Sequence, residues 1–315
     1  MSIIDTLNNV NKTLSSATYI DGAILQNENL SQEIVNLLNR QTPVRDRLPR
    51  VAGSGWAASW NVLTAMWVGN SAFAEWALPT EDATSCVRRH AVYKLLWKTK
   101  SITDYAIKTW ASFIDLAAQE LEVAMLEVIK DEEQFIITWD TAVSALQFDG
   151  IKKTIVTNVI DDNNNALGYR ADLINQAIEL LQTNYGVNPT VILDWFGMQR
   201  VINDSLSPNR FIAGNSATSW ITIQNFASSA WLLDFVTTPA IKWDAVTFAW
   251  NTVESIYVIT ENVSSNVVYM SDLMGLRQDD IGKVNSSYKF FVSEYTVLVN
   301  RAEEFHVEIQ NVRVK

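Results

Sequence analysis

Residues 103–137 contain neither Pro nor Gly and carry a single apolar stripe. Apolar residues recur every seven positions, with others three and four places further on; the repeat comprises Ile107, Ile114, Leu121, Val128 and Phe135. This spacing predicts one continuous helix of about 45 Å at 1.5 Å per residue, with Thr103 or Asp104 as its cap. The heptad fails at Asp131 and Glu132, which disfavours a coiled coil. A core helix of an ordinary enzyme remains an alternative.

Composition describes an ordered soluble chain that can bury a large core, divided into two lobes. The chain has 315 residues, of which 48% are hydrophobic and 19% charged. No apolar run reaches the roughly 18 residues of a membrane span, and the N-terminus lacks the pattern of a signal peptide. Cys86 is the only cysteine, which excludes an internal disulfide and a cysteine-based zinc cluster. We therefore expect synthesis in a reducing cytoplasm.

Charge is unevenly distributed along the chain. The net charge of −11 argues against tight wrapping of nucleic acid. Residues 40–108 nevertheless contain ten Lys or Arg against five Asp or Glu. This basic segment is either a solvated face or a surface that meets the acidic part of another copy.

Tryptophan is unusually frequent and glycine unusually rare. The chain has 12 Trp and 11 Gly, whereas Gly usually makes up about 7% of a sequence. Several indoles occupy positions typical of turns, where bulky residues are unexpected; examples are Trp56, Trp139, Trp195 and Trp243. We hypothesise that some of these codons are UGA codons naturally translated as glycine.

The N-terminal third combines an arm with a long hairpin. Residues 1–50 are rich in Asn, Ser and Thr and contain one short amphipathic helix at 30–40. Residues 59–68 and 86–97 predict two extended runs joined by a long connection. A hairpin of this length is not stable alone in water, so a neighbouring subunit is the expected support.

Residues 170–204 predict a compact α/β lobe, and the last 50 residues predict strands. Asp149-Gly150 marks a turn. Residues 161–165, DDNNN, have the spacing of a calcium loop, but Ala166 and Asp172 replace the expected Gly and Glu, which favours a plain turn. Helices are expected at 170–186 and 196–204, and strands at 190–194, 252–260, 267–273, 287–302 and 305–314. The last three strands are expected to return to the long helix.

We find no catalytic constellation, and we expect no enzyme activity, cofactor or metal. His90 and His306 are the only histidines, and each is expected to be a surface or hydrogen-bonded residue. The nucleophile-elbow, phosphate-loop and zincin motifs are all missing. The acid pairs Glu132–Glu133 and Asp279–Asp280 are explained by a solvated acidic face.

Taken in order, these segments resemble the major capsid protein of tailed bacteriophages, which has the Hong Kong 97-like fold. FIDLAAQELEVAMLEVIKDEEQFIITWD is similar to the acidic, Ala- and Leu-rich spine helix of that family. The family helix usually ends before Gly-Asp, where this chain has Trp139-Asp140. FDGIKKTI at 148–155 resembles the entry to the axial lobe, and residues 170–204 resemble the core of that lobe. The resemblance extends over roughly residues 30–315.

The resemblance implies an α+β architecture in five parts. They are an N-terminal arm at 1–50, an extended loop hairpin at 51–100, a peripheral domain with the spine helix at 101–150, an axial domain at 151–266 and returning peripheral strands at 267–315.

The resemblance also implies a structural role in a virion made in the bacterial host. The subunit would assemble with itself into pentamers and hexamers of an icosahedral shell around double-stranded DNA, without sequence-specific binding and without a membrane. A portal, a separate scaffolding protein and a decoration protein are the implied partners. Inter-subunit contacts are expected from Arg45, Arg47, Arg50, Trp60, Trp67, Phe73, Glu75, Arg88 and Arg89.

One departure and three alternatives accompany this interpretation. Some family members crosslink a loop lysine to a neighbouring asparagine, but residues 51–87 contain no Lys, so we expect no such crosslink. The alternatives are an encapsulin-like compartment that encloses cargo, an acidic soluble α/β enzyme and a ring-forming tail or adaptor protein.

Overall fold

A computed structural model describes most of the chain and shows an α+β fold with six helices and thirteen strands in the described residues. It describes residues 41–65, 76, 84–110, 115–165, 171–195, 225–227, 232–242, 246–248, 250–263 and 265–313. The helices expected at 30–40 and 196–204 lie outside these ranges.

The long apolar segment forms two helices, α2 (Asp104–Trp110) and α3 (Leu116–Thr138). Asp115 has extended backbone angles, and its side chain accepts from the amides of Ala117 and Ala118, so it is the N-cap of α3. The prediction of one continuous helix was therefore wrong. Thr103 does cap the first part, since its hydroxyl accepts from the amide of Ala106.

A four-stranded sheet packs against α3. Its order is β1 (Arg50–Ala52), β11 (Val268–Val284), β12 (Ser287–Asn300) and β4 (Lys94–Thr103). The strand predicted at 267–273 is thus more than twice as long as expected. β1 is short and runs parallel to β11 at the sheet edge, directly after helix α1 (Pro43–Arg47).

The extended hairpin is confirmed as a separate antiparallel pair, β2 (Ala57–Ala65) and β3 (Ser85–Val92). The run predicted at 86–97 is divided at Tyr93, where the chain passes from β3 into β4. Gly53 lies where the chain enters the hairpin, between β1 and β2. A Cβ at Gly53 would lie 2.1 Å from the Tyr93 hydroxyl oxygen, so the two ends of the hairpin meet closely.

The α/β lobe is built on a seven-stranded sheet. Its order is β5 (Val159–Asp161), β13 (Val307–Arg313), β10 (Asn251–Ile259), β6 (Val191–Asp194), β8 (Leu232–Thr237) and β7 (Asn225–Ala227), with β9 (Val246–Phe248) beside β10. Helix α5 (Ala171–Tyr185) covers it and ends at Gly186, whose φ of +65° stops the helix.

The final strand does not return to the long helix. β13 pairs with β10 and β5, whereas β11 and β12 lie in the sheet beside α3. The expectation that all three C-terminal strands return to that helix was wrong for β13. Its buried residues Val307, Ile309 and Val312 complete the apolar core under α5, which explains its position.

Two short helices connect these layers. Helix α4 (Ile151–Thr154) follows α3, and helix α6 (Pro239–Lys242) follows β8. Ile151, Ile241 and the last turn of α3, with Ile136 and Ile137, belong to one buried core that also includes Val44 of α1. The C-terminal half of α3 is therefore the place where the N-terminal segment, the four-stranded sheet and the lobe meet.

Candidate assembly surfaces

The hairpin is anchored at its base by contacts within the chain. The indole Nε1 of Trp60 donates to the carbonyl oxygen of Arg301 at 3.0 Å. Arg89 pairs with Glu304 at 2.8 Å, and Tyr93 shares a hydrogen bond with Ser271. Strand β3 has exposed residues over its outer half, from Ser85 to Arg88. The described hairpin is thus held by contacts at its base, while the outer half of β3 is exposed to solvent.

The basic side chains near the N-terminus find acids of their own chain. Arg47 pairs with Glu261 at 2.5 Å and with Asp234 at 2.9 Å. Arg50 contacts Glu132 and Glu294 at 2.5 Å and Asp272 at 2.9 Å. The charge complementarity expected between copies is therefore already met within one chain for these arginines.

Two buried acids were not predicted from the sequence. Glu132 and Glu133 are buried, so a solvated acidic face was the wrong explanation for this pair. Glu132 forms ion pairs with the guanidinium groups of Arg45 and Arg50. Glu133 accepts hydrogen bonds from the backbone amides of Val44 and Arg45. The available signal was their place inside an apolar helix stripe, where acids require partners. Of the other pair, Asp279 contacts Arg277 and Asp280 is exposed.

Of the other residues expected at inter-subunit contacts, two are described by the structure and three are not. Trp60 is half-buried against the chain's own core, and Arg88 is exposed on β3. Trp67, Phe73 and Glu75 lie outside the described residues.

A groove of about 580 Å³ opens between the hairpin and the loop that follows α3. Its lining includes the apolar residues Phe148, Val297 and Leu298 and charged residues of both signs; these are Arg88, Arg89, Lys94, Asp149 and Glu303. Such a groove can receive a side chain or an extended segment of a partner.

The loop beside the groove exposes apolar residues and is held together by hydrogen bonds. Val143 and Leu146 are 78% and 81% exposed. Asp140 accepts from the amide of Ala142, which lowers the pKa of its carboxyl group. Asp149 accepts from the amide and hydroxyl of Thr141. A hydrogen-bonded loop with exposed aliphatic side chains is typical of an interaction surface.

Both histidines behave as the sequence analysis predicted. His90 is exposed on the hairpin. His306 is buried, and its Nδ1 accepts from the amide of Thr260, so the proton lies on Nε2, which donates to Asn300. Burial lowers the pKa of His306 to about 3, which keeps the ring neutral.

The described residues contain no cluster of three metal-binding side chains. The DDNNN segment forms a turn with positive φ at Asn163 and Asn164. Asp194 is buried at the end of β6, and burial together with Glu254 raises the pKa of its carboxyl group well above the usual range. Within the described ranges, no helix is both long and apolar enough to cross a membrane.

Among the tryptophans that the structure describes, one has a backbone conformation that favours glycine. Trp250 has φ of +69° and is 98% exposed, in the two-residue connection between β9 and β10. Trp139 is different, because its φ is −67° and its ring stacks on Phe135 at 3.7 Å. Trp243 lies outside the described residues.

Solved structures share this architecture over nearly the whole chain. The capsid of a native GTA particle matches at 13% identity and a TM-score of 0.72, over 95% of this chain and 99% of that chain. The capsid of Cyanophage P-SCSP1u matches at 12% identity and 0.65, over 95% and 96%. The SrpI encapsulin complex of Synechococcus elongatus matches at 10% identity and 0.63, over 94% and 96%. No protein-family model and no curated protein matches the sequence.

These matches define the class of fold, which this chain shares with solved capsid and encapsulin structures. The chain has the Hong Kong 97-like fold, with its long helix, four-stranded sheet, extended hairpin and α/β lobe.

Proposed function

We propose that the chain is a major capsid protein that assembles into pentamers and hexamers of an icosahedral shell around viral double-stranded DNA. One observation carries this proposal. The likeness to the GTA capsid extends over 95% of this chain and 99% of that one at a TM-score of 0.72, against 0.63 for the SrpI encapsulin.

The open surfaces of the single chain support this role. The hairpin is attached at its base through Trp60 and Arg89, and the loop with Val143 and Leu146 exposes apolar surface to solvent. In a shell, the hairpin lies across an adjacent subunit, the lobe at 151–266 meets its copies at the symmetry axes, and the arm at 1–50 reaches another neighbour. Arg88, Trp67, Phe73 and Glu75 are the proposed hairpin contacts.

The proposed virion contains further partners. A portal, a separate scaffolding protein and a decoration protein complete the particle, and the subunits are made in the host cytoplasm. The net charge of −11 disfavours adhesion of DNA to the wall, so DNA is enclosed without sequence-specific binding.

Electron microscopy of native particles and of the protein expressed with and without its genomic neighbours tests the proposal. Closed icosahedral shells filled with DNA in the native particle are the expected result. A monodisperse monomer under all conditions would contradict it and would favour an acidic soluble enzyme. Open rings without closed shells would favour a tail or adaptor protein.

A second candidate is an encapsulin-like compartment that encloses a cargo enzyme. The likeness to the SrpI encapsulin and the groove beside the hairpin favour it. Closed shells that copurify with one protein and contain no DNA would support this candidate over the capsid.

A further inference from the structure

A short N-terminal segment is fastened to the body of the protein by buried charges. Residues 43–52, which we call the clasp, comprise α1 and β1. Val44 and Leu48 enter the core, but among the described strands β1 pairs with β11 alone, over three residues. A short edge strand of this kind is a unit that can open without global unfolding.

Arg50 joins the clasp to three other elements. Its guanidinium contacts Glu132 of α3, Asp272 of β11 and Glu294 of β12. Arg45 of α1 also contacts Glu132. Two arginines thus face three carboxyl groups, and both Glu132 and Glu294 are fully buried. With all three acids ionised, the cluster contains one buried negative charge that no arginine balances.

Glu294 is the least satisfied of these acids. Its Oε1 accepts from Arg50 at 2.5 Å, but its buried Oε2 has no hydrogen-bond partner among the described residues. Asp272, in contrast, also accepts from the hydroxyl of Thr296 at 2.7 Å. Burial and the nearby Glu132 raise the pKa of Glu294 to about 7, although Arg50 and Arg45 oppose the rise.

We propose that Glu294 is a proton-sensitive latch for the clasp. With a proton on Glu294, two carboxylates balance the two guanidinium groups and the clasp stays closed. When the proton leaves, the extra buried charge is relieved by opening, which admits water. The clasp leads directly into the hairpin, because β1 ends at Ala52 and β2 begins at Ala57. Between them, the amide of Gly53 donates to the carbonyl oxygen of Asp272. The latch therefore controls how firmly the hairpin base is held.

The direction of the pH dependence follows from linkage. The pKa of Glu294 is about 7 in the closed form, and we propose that contact with water in the open form lowers it toward the ordinary 4.5. Its contribution to closure is thus complete below 4.5 and is lost as the pH rises through 7. Glu133 also faces the clasp, beside Asp46, and burial raises the pKa of its carboxyl group. It must be tested separately.

Hydrogen exchange of the full-length protein tests the latch. Backbone amides of residues 43–52 are compared in wild type and Glu294→Gln, at the same pH and in one assembly state. Gln keeps the oxygen that accepts from Arg50 but cannot ionise. The ratio of wild-type to variant exchange should rise on the order of fiftyfold between pH 5 and pH 8, while residues 171–185 show no change. An equal ratio at both pH values would overturn the proposal.

Two further measurements separate the latch from its neighbours. Glu133→Gln should keep the pH-dependent exchange, and its loss in that variant would assign the effect to Glu133 instead. If Glu294→Gln does not fold, wild-type exchange at 43–52 is compared with that at 171–185 after correction for intrinsic amide chemistry. A constant ratio from pH 5 to pH 8 would again contradict the latch. None of these outcomes depends on shell assembly.

Discussion

The Nη2 atom of Arg50 donates to Oε1 of Glu132 at 2.5 Å, and this contact joins the N-terminal segment to the buried face of the long helix. Replacing Arg50 with Met leaves Glu132 and Glu294 with too little positive charge. We expect Arg50→Met to lower the free energy of unfolding by about 3 kcal/mol, as for other broken buried pairs. Denaturant titration measures this.

The control for that variant is Arg277→Met, because Arg277 forms an exposed pair with Asp279. Its expected effect is below about 1 kcal/mol. Equal losses of unfolding free energy in the two variants would show that the cluster around Arg50 stabilises the fold no more than an exposed ion pair does.

Gly150 should not tolerate a side chain. A Cβ there would lie 2.8 Å from the carbonyl oxygen of Phe135 and 2.9 Å from that of Ile136, at the end of α3. Backbone atoms cannot move aside cheaply, so Gly150→Ala should cost about 1–3 kcal/mol of stability. Gly275→Ala, with no atom within 4 Å of the new Cβ, is the matched control. Thermal unfolding of the two variants that shows the same midpoint would refute this packing argument.

Trp250 is the position where the glycine hypothesis makes the sharpest prediction. A bulky residue at φ +69° is strained, whereas glycine adopts this conformation freely. Trp250→Gly should therefore stabilise the fold by about 0.5–1 kcal/mol. Trp97→Gly, in the regular strand β4, should instead destabilise it. Peptide mass spectrometry of the native protein across 139, 195, 243 and 250 identifies the natural residues directly.

His306 makes the free energy of unfolding sensitive to acid. Its folded pKa of about 3 lies below the usual 6.5, so its contribution is complete above 6.5 and is lost as the pH falls toward 3. Relative to His306→Gln, wild type should lose about 3 kcal/mol of unfolding free energy between pH 6.5 and pH 4. The comparison with the variant cancels the opposite contribution of Glu294. A difference that does not vary with pH would rule out a neutral buried imidazole.

Mature shells should not contain crosslinks made through a hairpin lysine. Residues 51–87 contain no Lys, so the amine that such an isopeptide bond requires is missing from this part of the chain. A denaturing gel of assembled particles should show one monomer band. A ladder of covalent multimers would prove this wrong.

The local pattern of the sequence predicted much of the fold. The apolar stripe of α5, its stop at Gly186 and the runs that become β6 and β10 are properties of neighbouring residues, and the structure confirms them. The order of segments also indicated the Hong Kong 97-like fold, because that fold is defined by the succession of hairpin, long helix, lobe and strands.

The cluster around Arg50 could not be predicted in the same way. Its members come from five elements, and Arg50 and Glu294 are separated by 244 residues in sequence. The sequence showed basic residues near the N-terminus and acids elsewhere, but charge alone does not state whether partners lie in the same copy.

By itself, the sequence determined which segments are helical or extended, since periodicity and capping act over a few residues. Only the tertiary structure decided three matters. It ended the first helix before Asp115, which caps the next one. It placed β13 in the lobe, where Val307 and Ile309 complete the core. It buried Glu132 among arginines, because long-range packing, not local propensity, sets the environment of a charge.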